Sequence, residues 1–215
     1  PLQLLGSQND MATIRLARKQ EGTVVAGKEK TDGGAEFRNY IVTGLLRLMR
    51  RMPYEAIKVT DIVREAGVSR MTYYRHFKTK SDVLVSLVDY IIRSVNPVCH
   101  ENRRNGDWYR FWLALFDYAD RYASALKTII DAGQGNLILE CLNRSAFPHL
   151  QKDESAEASY RLFFLSGGMY NVFVGWLSGE NRESPAEMAK ICCGFMKGIV
   201  SEEAGASLPE FSEAQ

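Results

Sequence analysis

The sequence lacks the features that would place it outside the ordinary globular class. It contains no run of about 18 apolar residues, so no membrane partner is predicted. Only 4 of its 215 residues are cysteine and 6 are proline, which excludes a disulfide scaffold and a collagen-like chain. Residues 1–10 lack the basic-then-apolar pattern of a secretory signal. The chain is therefore expected to be cytoplasmic.

The four cysteines do not form a recognisable metal or redox motif. They are Cys99, Cys141, Cys192 and Cys193, with no C-x-x-C pair and no histidine cluster beside them. Reduced and mostly buried thiols are the expectation, with a redox sensor at the adjacent pair Cys192-Cys193 as the alternative. With only three histidines in the chain, no metal site and no cofactor are expected.

Basic and acidic residues nearly balance over the whole chain, but they are unevenly distributed along it. The net charge is only +1, yet residues 1–80 carry 15 basic and 8 acidic side chains, and residues 81–215 carry 12 basic and 18 acidic ones. The basic excess of the first part lies mainly in residues 35–80 (10 basic, 4 acidic). This asymmetry predicts that the front of the protein faces a polyanion.

Both ends of the chain lack apolar periodicity. Glycines among polar residues in 20–35 predict a flexible arm over residues 1–34, and residues 204–215 are expected to be a flexible tail. Met11 followed by Ala12 is typical of a natural start. Residues 1–10 are therefore interpreted as an expression remnant.

Everything between these ends has helical periodicity, and strand alternation is missing, so an all-α chain of about nine helices is predicted. The first helix starts near Glu36 and stops at Pro53. The second ends at Gly67, the third is capped by Ser69 and the fourth by Thr79. Asn96-Pro97 is expected to close the fourth helix.

The last two helices are predicted over Asp153–Leu177 and Ser184–Ile199. The first of them is apolar on two opposite faces, so it must be covered on both sides. In the second, Ser184, Pro185 and Glu187 supply a cap, a proline in the first turn and a capping-box acid.

The segment Thr60–Phe77 has the pattern of a helix, a tight turn and a second helix, a unit that places its second helix in the DNA major groove. Arg70 suits a bidentate contact with guanine, and the Tyr74 hydroxyl suits a phosphate. A plain helical pair with a solvated basic face is the alternative. His76 as a metal ligand or base is a further alternative, but no catalytic motif accompanies it, so no enzyme and no catalytic residues are predicted.

The stretch IKVTDIVREAGVSRMTYYRHFKTKSDVL (57–84) resembles the DNA-binding domain of TetR/AcrR-family transcriptional regulators. The matching positions are Val59, Asp61, Ile62, Ala66, Gly67, Val68, Ser69, Thr72, Tyr74, His76, Phe77, Lys80 and Leu84. In two departures, Lys58 replaces the usual capping threonine and Pro53 replaces a usual glycine. Pro53 and the pattern R-x-T-[FY]-Y-x-H-F are together similar to one subgroup of the family, which resembles regulators of the dihydroxyacetone-kinase type.

The resemblance implies a helix-turn-helix domain over 35–80 that binds double-stranded DNA at a palindromic operator, with Tyr73 and Phe77 holding the recognition helix to the core. The basic residues around this helix join the predicted site. The DNA-contact set is Lys58, Thr60, Ser69, Arg70, Met71, Thr72, Tyr74, Arg75, His76, Lys78 and Lys80.

The resemblance further implies an effector-binding and dimerisation domain over 81–203, in which 81–96 is the connecting helix. An unknown small molecule would release a homodimeric repressor from DNA. The expected pocket residues are Trp112, Phe116, Tyr122, Met169 and Phe173. The expected dimer interface is Phe163, Gly167, Gly168, Tyr170, Val174, Ile191 and Phe195. The alternative is a helical effector-binding or interaction module that has lost DNA binding.

Overall fold

The computed structural model describes residues 33–145 and 156–202, and within these ranges all regular structure is helical. The predicted all-α class is therefore confirmed, with nine α-helices in the described ranges. The predicted arm up to residue 32, the predicted tail from 204 and Pro148 lie outside them. None of the described helices is long and apolar enough to cross a membrane.

The first three α-helices and a short 3-10 turn form a helix-turn-helix unit. The unit consists of α1 (Gly33–Met49), the 3-10 turn Tyr54–Ala56, α2 (Val59–Ala66) and α3 (Arg70–His76). Helix α1 packs against both α2 and α3. It approaches α2 so closely that a Cβ added at Gly44 would lie 3.2 Å from the Cβ of Ala66. Helix α1 begins at Gly33, earlier than the sequence periodicity indicates.

The other six helices follow without a strand among the described residues. They are α4 (Lys80–Arg104), α5 (Trp108–Arg121), α6 (Ala123–Asp131), α7 (Asn136–Ser145), α8 (Ala156–Ser178) and α9 (Pro185–Glu202). Helix α5 packs against α4 and α9, and α7 packs against α4 and α8. One continuous apolar core joins these helices to the helix-turn-helix unit.

The capping signals in the sequence mark the true helix starts. Ser69 Oγ accepts from the backbone N–H of Thr72 at 3.0 Å. Thr79 and Asp82 form a capping box, and the backbone N–H donors hold the pKa of the Asp82 carboxyl below its usual range. Gly67 ends α2 with φ of 65°, in the left-handed region where glycine has no Cβ penalty. These predictions are confirmed.

The prediction that Pro97 closes the fourth helix is wrong, because α4 continues to Arg104 with Pro97 inside it. Pro97 is exposed, so the Arg93 carbonyl that it leaves without a partner can bind water. On the opposite side, Val95 and Cys99 are buried and continue the apolar stripe past the proline. The packing of this stripe outweighs the local breaker.

Candidate nucleic-acid interface

Helix α3 is anchored from beneath by two aromatic side chains. Tyr73 is fully buried and Phe77 is 5% exposed, and their ring centroids lie 6.0 Å apart. Both residues fall on the inward side of α3 because they are four positions apart. The expected anchoring role of this pair is confirmed.

The buried Tyr73 hydroxyl has no hydrogen-bond partner, and burial raises the pKa of Tyr73 to about 12. A buried polar group without a partner lowers stability relative to an apolar one of the same shape. We therefore expect Tyr73→Phe to keep or raise the free energy of unfolding, by up to about 1 kcal/mol. Urea denaturation measures this change, and a loss greater than about 1 kcal/mol would contradict the buried, unpaired hydroxyl.

The outward side of α3 carries two adjacent columns of side chains. Arg70 and Tyr74 form one column, and Met71 and Arg75 form the other. All four are exposed, Met71 by 75% and Tyr74 by 57%. We call these four residues the recognition face. It combines cations, a phenol hydroxyl and an apolar methyl group, which match guanine, phosphate and the thymine methyl group.

Three other predicted contact residues on and beside α3 already have intramolecular partners. The hydroxyls of Ser69 and Thr72 lie 2.9 Å apart, and Ser69 also caps the helix. Arg38 Nε donates to His76 Nδ1 at 3.4 Å. Ser69, Thr72 and His76 can contact DNA only if they share these hydrogen bonds with it. The four residues of the recognition face do not have this constraint.

Three further predicted residues lie around the recognition face. Lys58 and Thr60 are exposed at the start of α2, and Lys78 is exposed after α3. The Asp61 carboxylate accepts the backbone N–H of Lys58 at 3.0 Å, so this helix start is satisfied without the usual threonine. Asp61 also pairs with Arg64 at 3.0 Å, which leaves Lys58 and Lys78 as the better phosphate ligands.

Lys80, another predicted DNA-contact residue, is hydrogen-bonded to the backbone of its own chain. Its Nζ donates to the carbonyl oxygens of Tyr54, Glu55 and Ile57, at 2.5, 3.2 and 3.1 Å. It also lies 4.2 Å from the centroid of the Tyr54 ring. An ammonium group has three donors, and here all three are used within the protein. In this structure the lysine holds the 3-10 turn to the start of α4, so a contact of Lys80 with DNA stays a prediction and would require the ammonium group to share these bonds.

This position predicts that Lys80→Ala lowers the free energy of unfolding by about 2–3 kcal/mol, since three carbonyl groups lose a charged donor. Lys78→Ala is the matched control two residues away. It should leave the melting temperature unchanged and weaken binding to all DNA sequences by a similar factor. Thermal melting and DNA titration of both variants check the pair. Equal effects of the two substitutions on stability would contradict the assignment.

Among the five predicted pocket residues, Phe116 is in ring contact with both Trp112 and Phe173, and an effector pocket at these residues stays a prediction. The Phe116 ring is fully buried, with centroids 4.7 Å from Phe173 and 6.2 Å from Trp112. Met169 is buried as well. Trp112 Nε1 is buried without a hydrogen-bond partner. These residues form an aromatic cluster with one unused donor.

Tyr122, the fifth predicted pocket residue, borders a groove of about 890 Å³ between the helix-turn-helix unit and α4. A stripe of α4 from Asp82 to Pro97 forms its floor, and Arg38 and Lys78 belong to its rim. Tyr90 and Tyr122 meet edge to face at one end, with centroids 6.4 Å apart. The groove is of a size that holds small molecules.

The predicted dimer residues divide between two sides of α8 and α9. Phe163, Ile191 and Phe195 are exposed by 57%, 43% and 58%, and Gly168 is exposed as well. Two aromatic residues outside the predicted set, Tyr160 and Phe164, are each 73% exposed. We call the six residues named in this paragraph the aromatic face.

The remaining predicted dimer residues are less exposed. Gly167 and Val174 are half-buried. Tyr170 packs against the core of its own chain, and its hydroxyl would lie 2.8 Å from a Cβ added at Gly135. The inward packing of Tyr170 places it away from the aromatic face.

The hairpin between α8 and α9 is fastened to α5. Trp176 Nε1 donates to the Glu183 carbonyl at 2.8 Å, and Arg182 pairs with Asp120 at 3.0 Å. The Arg182 guanidinium also stacks on the Trp176 ring at 4.8 Å. These contacts hold the hairpin between α8 and α9 against α5.

Of the two adjacent cysteines, Cys192 lacks the environment of a reactive thiol. Cys192 is 1% exposed, and burial raises its pKa to about 11. Because the thiolate is the reactive form, these values favour the expected reduced, buried thiol at Cys192 over a redox sensor. Cys193 is half-buried.

Comparison with known proteins identifies the helix-turn-helix unit. Residues 41–87 match the family model described as "Bacterial regulatory proteins, tetR family". The chain is 25% identical over 180 residues to the uncharacterized HTH-type transcriptional regulator YwcC of Bacillus subtilis, covering 78% of this chain and 76% of that protein. It is 28% identical over 90 residues to the HTH-type transcriptional regulator EthR of Mycobacterium tuberculosis, covering 40% of this chain and 42% of EthR.

Two solved structures share the fold over nearly their whole lengths. A TetR transcriptional regulator from Streptococcus agalactiae aligns with a TM-score of 0.52 at 15% identity, over 86% of this chain and 97% of that chain. The dihydroxyacetone kinase operon activator DhaS aligns with a TM-score of 0.51 at 18% identity, over 77% of this chain and 96% of that chain. At these identities the likeness concerns the fold, and the subgroup suggested by Pro53 stays a prediction.

Proposed function

We propose, from the premise that this chain is a TetR-family DNA-binding transcriptional regulator, that it is a homodimeric repressor that a small-molecule effector releases from a palindromic operator. The recognition face is the observation that carries the proposal. It places two arginines, a tyrosine and a methionine, all exposed, on the outward side of the second helix of a helix-turn-helix unit, the helix that such units place in the DNA major groove.

Each residue of the recognition face has a proposed role. Arg70 lies in the first turn of α3 and donates two guanidinium N–H groups to the O6 and N7 atoms of a guanine, while Met71 contacts a thymine methyl group. Tyr74 and Arg75 bind phosphate oxygens. Lys58 and Lys78 bind the backbone on either side, and fix the angle at which α3 enters the groove.

Dimerisation is proposed to occur through the aromatic face. A two-fold axis at this face brings α8 and α9 of two subunits into a four-helix bundle, which removes five large apolar side chains from water. The two recognition helices would then reach major grooves about 34 Å apart, one turn of DNA. Palindromic operators follow from this symmetry.

The effector is proposed to bind beside the aromatic cluster and Tyr122. The unused Trp112 N–H favours a ligand with a carbonyl or carboxylate oxygen, and the surrounding rings favour an apolar body. The effector releases DNA only if it binds better to a conformation with the wrong spacing of the recognition helices. Residues 81–203, with the connecting helix 81–96 at their start, are proposed to serve effector binding and dimerisation.

Selection from random duplex DNA tests the function. The full chain should enrich a palindrome whose half-sites lie about one helical turn apart. Loss of the enriched motif on Arg70→Ala, with stability unchanged, would tie the selection to α3. If the folded wild-type chain enriches no sequence, the alternative of an effector-binding module without DNA binding replaces the regulator.

A further inference from the structure

Arg50, the residue after α1, connects the helix-turn-helix unit to the helices of the second half. Its Nη2 donates to Ser124 Oγ at 3.0 Å, and its Nε donates to Thr128 Oγ1 at 3.3 Å. Both hydroxyls belong to α6, whereas α1 is the helix on which α2 and α3 pack. The contact thus spans the two parts of the protein that regulation must couple.

The acceptors on α6 are arranged in advance for a forked donor. Ser124 and Thr128 are four residues apart, so their hydroxyls lie on one side of the helix. Thr128 Oγ1 donates its own hydrogen to the Ser124 carbonyl at 2.8 Å, which turns its lone pairs towards Arg50. Arginine reaches both hydroxyls from two nitrogens of one planar group, which a lysine ammonium cannot reproduce.

We propose that Arg50 is a positioning residue that sets the orientation of the helix-turn-helix unit against α6, and through it the half-site spacing that the dimer accepts. The inference rests on the proposed function, because spacing has a meaning only for a dimer on a palindrome. Asp89 in α4 pairs with Arg144 in α7 at 2.9 Å, a contact that does not involve the helix-turn-helix unit. A rotation of the helix-turn-helix unit relative to α4 could therefore leave this ion pair intact. The same rotation must break the contacts of Arg50.

The position of α6 also explains how this contact would respond to a ligand. Helix α6 begins at Ala123, directly after Tyr122, which lines the groove beside α4. Ser124 lies in the first turn of α6, two residues from Tyr122. A ligand that displaces Tyr122 therefore moves an acceptor of Arg50.

The test compares Arg50→Met with Arg51→Met in the full chain. Arg51 is the matched control, because its guanidinium pairs with Glu65 of the same helix-turn-helix unit at 3.2 Å and does not reach α6. Binding is measured on the selected palindrome, on palindromes with the half-sites moved by about one base pair, and on DNA with a single half-site.

For Arg50→Met we expect the affinity for the selected palindrome to fall about tenfold and the preference among spacings to flatten, with single half-site affinity unchanged. Arg50→Lys should show an intermediate effect, and Arg51→Met should keep the wild-type preference. The double variant Ser124→Ala, Thr128→Val should reproduce Arg50→Met, and all three substitutions together should add nothing further.

Three results would overturn the inference. Arg50→Met could keep the wild-type spacing preference. It could instead weaken the single half-site as much as the palindrome, which would make Arg50 a DNA contact or a folding residue. The α6 double variant could leave spacing unchanged. Failure of the proposed function is distinguishable, since the wild-type chain would then select no palindrome at all.

Discussion

Gly168→Trp is expected to convert the dimer into a folded monomer. Gly168 is an exposed member of the aromatic face, and no atom beyond its own stretch of helix lies within 4 Å of a Cβ added there. An indole is therefore tolerated by the single subunit but not by a helix packed closely on this face. We expect the dimer Kd to rise by about 100-fold or more. Light scattering across a dilution series measures it.

DNA binding should fall with the dimer. A monomer presents one recognition helix, so it loses the linked second half-site, which contributes about 10²–10⁴ in affinity. Glu101→Trp, at an exposed position of α4, is the control for a bulky aromatic residue and should remain dimeric. An unaltered mass for Gly168→Trp at all concentrations would place the interface elsewhere.

Arg70→Ala is expected to weaken binding to the selected operator by about 1–3 kcal/mol, a loss of roughly 5–150-fold. The physical reason is the bidentate hydrogen bond that the guanidinium makes with one guanine. The loss should therefore disappear when that base pair is replaced. Titration of the wild-type and Arg70→Ala proteins on the two duplexes measures this coupling.

Lys78→Ala is the comparison for this prediction, because Lys78 is proposed to bind phosphate. Its loss should be the same on every sequence and should reduce the salt dependence of binding by about one counterion. If Arg70→Ala behaves in the same way as Lys78→Ala, Arg70 binds the backbone and the base contact is wrong.

The sequence predicts well what local rules decide. Ser69, Thr79 and Ser184 begin helices because their hydroxyls accept backbone N–H groups that a helix start leaves free. Gly67 and the anchors Tyr73 and Phe77 follow in the same way from left-handed geometry and helical period. The all-α class and the recognition face therefore follow from patterns of three to five residues.

The sequence predicts poorly what depends on tertiary contacts. The motif position of Lys80 says nothing about the three carbonyl groups of residues 54–57 that take up its charge. Pro97 breaks helices locally, but the buried stripe on the other side of α4 outweighs it. Tyr170 shares a helical face with apolar neighbours, yet it turns to the core beside Gly135. The contact of Arg50 with α6 joins residues more than 70 positions apart, and no local pattern predicts it.

The central claim is that the recognition face binds DNA, and a double charge reversal tests it most directly. Arg70→Glu with Arg75→Glu places two negative charges on this face, whereas Arg104→Glu with Arg110→Glu makes the same change at exposed positions of the second half. Fluorescence anisotropy on the selected duplex is the measurement, with mass and melting temperature recorded for both variants. We predict that the first pair abolishes binding while the dimer stays folded, and that the second pair binds as the wild-type protein does. Retained binding by the first pair, or equal loss in both, would contradict the account.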